Sequence, residues 1–179
     1  MTAFGCKAQR QGPIALAGLL LTTLLSLLSL PSSHAASPIT MENARPGQSD
    51  WVLTNPADHE IEGYASATSI QRGEPLNLYV NSIDPKVTVD LYRMGWYGGA
   101  GARLVRGGIS LPGIQQPMPT PDHVTGLIEC QWQVSYTLTT ESHERNDWLS
   151  GVYLAKLTGS PSGKQSYIIF VVREDDRPS

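Results

Sequence analysis

Asp58-His59-Glu60, with Glu62 two residues on, is the densest group of side chains in the sequence that could hold a metal or move a proton. In an extended strand, residues two apart share a face, so Asp58, Glu60 and Glu62 would align. No second histidine lies nearby to complete a transition-metal set, and the segment reads as a solvated approach to a strand. Outside the N-terminal 35 residues the histidines are His59, His123 and His143. None sits beside a Gly-x-Ser-x-Gly elbow, so surface or turn positions are expected for all three rather than a Ser-His-Asp triad. Cys130 has Glu129 as its neighbour, which opposes a thiolate nucleophile. It reads as a buried small hydrophobe, with a free thiol as the other reading. Gly98-Gly99-Ala100-Gly101 has the look of a phosphate loop, but no Gly-Lys-Ser/Thr ending and no following helix are present to aim N–H groups at a phosphate. No catalytic residue, metal ligand or cofactor is expected from this inventory.

The glycine cluster is still the most unusual stretch. Arg93, Trp96, Tyr97 and Arg103 flank a backbone that can approach another surface closely at Gly98 and Gly99. Arginine and aromatics are enriched at the centres of protein interfaces. These six residues form a candidate interface. The competing reading is a glycine-rich bulge in which Trp96 and Tyr97 fill the edge of the domain's own core. Trp51, Trp96, Trp132 and Trp148 could also line a sugar-binding platform, although Trp132 lies on an alternating apolar face that suits a core.

The elements that must position these residues have period two. Ile61–Ser66 reads as a strand and 71–74 as a turn. Leu76–Val80 alternates, Asp84-Pro85 turns, and Val87–Arg93 alternates with Val87, Val89 and Leu91 on one face. Four glycines within Gly95–Gly101 exclude a regular central strand. Arg103–Val105 is extended, and the prolines at 112, 117, 119 and 121 make 111–122 irregular. Gln131–Thr139 alternates with Trp132, Val134, Tyr136 and Leu138 on one face. Val152–Leu157 and Ser166–Val172 form a hairpin across Gly159–Lys164, and the unbroken run Ile168–Val172 suggests burial on both faces. No helix is indicated beyond a turn near Ser142–Trp148. The expectation is an all-β, Ig-like or fibronectin-like β-sandwich of seven to eight strands.

Ahead of this domain, Lys7 and Arg10 precede an apolar run, Ile14–Leu30, then Pro31 and the small-residue site Ser33-His34-Ala35. That is the pattern of a signal peptide, residues 1–35, cleaved between Ala35 and Ala36 by the general secretion route. The rival is a retained anchor, since 17 residues is near the lower limit for spanning a bilayer; a membrane partner is expected only in that case. Removing Lys7 and Arg10 takes the net charge from −3 to −5. A mildly acidic, exported domain with scattered cations is a poor nucleic-acid binder. One cysteine, Cys130, remains in it and cannot pair within the chain. The organisation expected is an extended lead-in at 36–47, a sandwich at 48–173 and a truncated linker at 174–179.

Four segments together resemble one family. They are Glu42-Asn43-Ala44-Arg45-Pro46-Gly47-Gln48-Ser49-Asp50-Trp51, Ile61–Ser66, Tyr92-Arg93-Met94-Gly95-Trp96-Tyr97-Gly98-Gly99-Ala100-Gly101-Ala102-Arg103, and Ser150–Leu157. They are similar to proteins related to the large (β) subunit of N,N-dimethylformamidase, with the glycine-rich Tyr92–Arg103 stretch the most specific. The resemblance implies an N-terminal β-sandwich preceding a larger domain, which in that family holds a mononuclear iron site of tyrosines and a glutamate that hydrolyses a small amide. It carries no iron ligand onto any residue here. It implies a scaffold half whose Arg93–Arg103 surface packs on a catalytic domain or subunit supplied separately. The alternative is a free-standing exported module that binds carbohydrate or protein.

Overall fold

The computed structural model of the chain describes residues 36–140 and 148–174. The expected leader with Ala35, the turn at 142–147 and the last five residues lie outside the described residues. The compact unit described begins at Ala36.

Among the described residues eight strands form two sheets, and the domain is mostly β, consistent with the all-β expectation. β1 (Ile61–Ala65), β3 (Pro75–Ser82) and β6 (Tyr136–Thr139) make a three-stranded antiparallel sheet in the order β1-β3-β6. β2 (Ser69–Gln71), β4 (Lys86–Met94), β5 (Ala102–Pro112), β7 (Gly151–Ser160) and β8 (Gln165–Arg173) make a five-stranded sheet in the order β2-β8-β7-β4-β5. Among these strand pairs β2–β8 is parallel and the others antiparallel. The alternating residues Val87, Val89 and Leu91 of β4 meet Leu157 and Ala155 of β7 and Ile168 and Phe170 of β8 on one face. Ile61, Leu76, Leu78, Val80 and Leu138 of the smaller sheet join the same buried cluster. Each fully buried Leu, Ile or Phe side chain contributes roughly 1.5–3 kcal/mol of transfer free energy, so this shared core is the main cohesive term. Trp148 closes one end. It packs 5.2 Å from the Tyr153 ring, which in turn lies 5.6 Å from Phe170, and the Arg106 guanidinium sits over the Trp148 indole.

Several local expectations are corrected. Residues 36–47 are not an extended lead-in: Pro38–Asn43 is a short helix, α1. Ser37 caps it by accepting the Thr40 N–H, and Pro38 sits in its first turn, where a missing N–H costs nothing. β2 was hidden because three residues are too few to show a period. β5 runs on to Pro112, past Gly107 and Gly108. A bulge opposite Asp90 absorbs these, with Gly108 N–H donating to Asp90 Oδ1 at 2.7 Å. Pro112 is tolerated because β5 is an edge strand. Of Gln131–Thr139 only Tyr136–Thr139 is strand. Ser135 N–H still donates to the Leu78 carbonyl of β3, but Gln133 is held by a side chain: its N–H donates to Gln116 Oε1 and its carbonyl accepts from Gln116 Nε2. Cys130, just before Gln131, is exposed rather than buried. β8 is not buried on both faces, since Ile169 is 62% exposed.

The chain from Gln48 to Pro56 crosses the outer face of the five-stranded sheet. Gln48 bridges to Ala102 at one side and Pro56 to Gln165 at the other. Between them the Lys156 ammonium donates to the carbonyls of Asp50 and Val52, and the Tyr167 hydroxyl to that of Trp51. That strap carries α1 against the end of β4.

Candidate functional site

Residues from three of the four segments that carry the family resemblance, 42–51, 92–103 and 150–157, meet at that corner. α1 turns Glu42 inward until it is 2% exposed. Its Oε1 accepts from the Tyr97 hydroxyl at 2.8 Å and from Arg103 Nε at 2.6 Å, and its Oε2 from Arg45 Nη1 at 3.2 Å. Arg93, also buried, donates from Nη1 to the Tyr97 oxygen at 3.0 Å and from Nη2 to the Ser150 carbonyl at 2.8 Å. Gly151 lies against the same guanidinium, where a Cβ would stand 3.1 Å from Nη2.

The backbone is fitted as closely as the side chains. Asn43 Oδ1 accepts the Trp96 N–H. Gly47 leaves room that a Cβ would fill, 2.5 Å from the Tyr97 Cβ and 2.6 Å from that of Ala100. Gly95 does the same, since a Cβ there would come 2.4 Å from Asn43 Oδ1. Gln48 accepts the Leu104 N–H and the Trp51 indole donates to the Ala100 carbonyl at 2.9 Å. Tyr97 has φ +41°, a left-handed conformation costing an ordinary residue of order 1–3 kcal/mol. Its phenol is locked by Arg93 and Glu42, which holds it there.

The electrostatics follow from burial and bonding. Burial pushes the Tyr97 phenol up; the Arg93 hydrogen bond opposes that shift and the Glu42 carboxylate adds to it. Burial also raises the neighbouring Tyr153 phenol, whose hydroxyl donates to the Leu149 carbonyl at 2.6 Å. Burial would lower Arg103, but the bond to Glu42 and its charge outweigh this and raise it. The buried Nε of Arg93 and Nη2 of Arg103 have no hydrogen-bond partner.

Glu42, Tyr97 and Tyr153 match in type the glutamate and tyrosines that the family resemblance associates with iron. They do not fit such a group. Three guanidinium groups already donate to the Glu42 and Tyr97 oxygens, both phenols are pushed away from the phenolate form, and the local charge repels a cation. No group of three His, Cys, Asp or Glu able to hold a metal occurs among the described residues. In the acidic segment expected to align on one face, Glu60 instead pairs with Lys164, while Glu62 takes contacts from His59 and Asn81.

Of the six candidate interface residues, Arg93, Tyr97 and Arg103 turn inward and join one network. Trp96, Gly98 and Gly99 remain on the surface, with Trp96 71% exposed. Trp132 is buried, with its indole donating to the Pro117 carbonyl, and Trp148 is core. The four tryptophans therefore do not form one platform. Sequence reasoning missed Glu42 as the centre of the corner. The Ser37-Pro38 helix start was the available signal, because one helical turn from it brings Glu42 to the inward face.

Two antiparallel-based sheets sharing a core, closed at one end by an arginine-glutamate-tyrosine corner, define a β-domain whose distinctive residues hold its own chain together. The chain belongs to the N,N-dimethylformamidase beta subunit-like family. The matching family model, described as N,N-dimethylformamidase beta subunit-like, C-terminal, covers residues 88–179, from β4 through the end. That description names the C-terminal part of the family, so the expected N-terminal placement is matched only in part. No curated protein matches. Among solved structures, the Pseudomonas fluorescens alkylpurine DNA glycosylase AlkC bound to DNA containing an abasic site analog is similar at 18% identity and a TM-score of 0.27. The match covers 64% of this chain and 30% of that one. At that TM-score the likeness carries no argument.

Proposed function

We propose that this domain is the non-catalytic scaffold of an exported N,N-dimethylformamidase β-subunit-like protein, built to pack on an iron-dependent amidase-like domain or subunit. The observation that carries the reading is the use made of the signature residues. Glu42, Arg93, Tyr97 and Arg103 spend their polar groups on one another, and Gly47 and Gly95 are spaces that neighbouring groups fill. A signature consumed in this way serves architecture, which leaves the chemistry to another part of the assembly. An Ig-like assignment is supported by the strand order, in which β1 lies in the smaller sheet and β2 pairs parallel with β8 in the larger. The Tyr153 bond to Leu149, at the entry to β7, is of the tyrosine-corner kind. The basic, apolar and small-residue order of residues 7–35 supports export.

The test is to express the full chain, sequence the N-terminus of the product, and assay it for bound iron and amide hydrolysis. A product beginning at Ala36, free of both, is the expected result. Stoichiometric iron or turnover would overthrow the scaffold role, and an intact Met1 would overthrow cleavage. A free-standing binding module is the second reading; glycan-array binding without a protein partner would favour it.

A further inference from the structure

We infer that the loop between β5 and β6 is a docking finger, which seats its apolar side chains in a groove that the catalytic partner rims with lysine or arginine. This rests on the scaffold reading and says which surface packs and what faces it. Among the described residues, six of the thirteen exposed large apolar side chains lie in this one loop, Ile114, Met118, Val124, Leu127, Ile128 and Val134. The others are scattered, and scattered apolar residues are ordinary. Every residue from 120 to 131 is exposed. A loop of this length without a strand or helix is uncommon in a compact domain, and its usual uses are binding or flexible linkage.

The bonding favours binding. At the base, Gln116 N–H donates to Asn81 Oδ1 at 2.8 Å, the Trp132 indole to the Pro117 carbonyl at 2.9 Å and the Tyr64 hydroxyl to the Cys130 carbonyl at 3.1 Å. The Trp132 ring lies 5.3 Å from that of Tyr64, which stacks on Tyr79 at 4.6 Å. Both ends of the finger are thus tied to the outer face of the smaller sheet. At the tip, Asp122 Oδ1 accepts the N–H groups of Val124 and Thr125 and the Thr125 hydroxyl. Asp122 N–H donates to the Leu127 carbonyl, and Gly126 N–H to the Asp122 carbonyl, each at 2.8 Å. Val124, 79% exposed, stands on this closed turn. A tip already ordered loses little freedom when a partner binds.

Charge selects the occupant. From 107 to 140 the chain has no Lys or Arg, and its ionised side chains are Asp122 and Glu129, both on the exposed finger. The Thr125 bonds hold the Asp122 carboxyl below its ordinary value, so it stays charged. Both carboxylates line one side of an open notch of about 500 Å³ beside the tip. Glu129 has no hydrogen bond or ion pair within the described residues. An anionic lipid surface attracts basic segments and repels this one. A second copy brings up a like finger on a chain of net charge −5 once residues 1–35 are removed. A protein groove with an apolar floor and a cationic rim complements both features of the finger.

The experiment co-expresses the full chain with the catalytic region of a dimethylformamidase β-subunit-like protein as a second polypeptide, whose bound iron shows that it is folded. The complex is measured by light scattering and titration, and contact at the finger by the alkylation rate of exposed Cys130, read by mass spectrometry. Wild type is expected to bind, more weakly as salt rises, and to protect Cys130. Val124→Ser with Ile128→Ser should weaken binding by at least about tenfold, and Trp96→Ser and Ile169→Ser should leave it unchanged. Glu129→Lys should weaken it at low salt and approach wild type at high salt. A complex that survives the finger variants with Cys130 still reactive overturns the surface and leaves the scaffold reading standing. Tighter binding by Glu129→Lys overturns the cationic rim. Failure of wild type to bind removes both readings. Self-association, or binding to phosphatidylglycerol vesicles, that the Val124/Ile128 double variant abolishes assigns the finger to a second copy or a membrane and also overturns the inference.

Discussion

Glu42→Ala is the sharpest perturbation of the corner. The Glu42 side chain is 1% exposed and that of Arg103 13%, so their 2.6 Å pair lies largely out of water. Removing the carboxylate leaves Arg103 Nε and the Tyr97 hydroxyl without their acceptor and two guanidinium groups without a counter-charge. Breaking a buried pair by deleting one partner costs about 3–5 kcal/mol. The Arg45 contact adds little, because that side chain is 37% exposed and solvent screens it. Residual access of water to Arg103 puts the total at the lower end, about 3 kcal/mol. For a domain of roughly 150 residues, that lowers Tm by about 6–12 °C. Urea unfolding followed by tryptophan fluorescence measures it directly. Glu42→Gln keeps the shape and one acceptor and should lose less. Arg103→Leu combined with Glu42→Leu should cost less than the two singles added, since it leaves no stranded charge on that pair. A Glu42→Ala protein within 1 kcal/mol of wild type, or strictly additive singles, would refute the view that this pair ties α1 to the sheet.

Two further outcomes follow from the same region. Gly95→Ala should destabilise by about 1–3 kcal/mol, because its Cβ has nowhere to go between Asn43 and Tyr97. Gly98→Ala meets nothing within 4 Å and should cost only about 1 kcal/mol for its φ of +65°; equal losses in the two urea titrations would show the close approach to be immaterial. The third outcome concerns pH. Burial raises the Tyr153 and Tyr97 phenols in the folded protein above their ordinary value of 10.0. Above pH 10 the unfolded chain releases these protons while the folded one retains them. Their contribution is therefore full below pH 10 and is lost as pH rises through the folded values. Stability should decline above pH 10, and less steeply in Tyr153→Phe; a variant with the same slope as wild type would contradict it.

The pleated core was legible because its signal is local. Val87, Val89 and Leu91 alternate within one strand, and a period of two needs no knowledge of what lies opposite. The strand boundaries failed where tertiary partners decide them. Gly107 and Gly108 look like a strand's end until Asp90 supplies the acceptor that a bulge requires. Gln131–Thr139 alternates well, yet Gln116 captures its first half with side-chain amides and removes it from the ladder. Three residues of β2 carry no period, and their pairing with β8 rests on a contact a hundred residues away.

The candidate site was half legible for a related reason. Composition marked Arg93, Trp96, Tyr97 and Arg103 as unusual, but the same residue types build interfaces and buried polar locks alike. What separates the two is whether the polar atoms find partners within the chain. Tyr97 and Arg103 find Glu42, which stands some sixty residues earlier in a segment that reads as featureless lead-in. Once that partner is known, the glycine cluster acquires two distinct roles. Gly95, with Gly47 of the strap, lets backbone and ring approach, and so belongs to the lock. A Cβ at Gly98 would meet nothing and one at Gly99 only the Trp96 ring at 3.9 Å, so no close packing requires glycine at either position. The exposed part of the motif is therefore smaller than the motif, and consists of Trp96, Gly98 and Gly99.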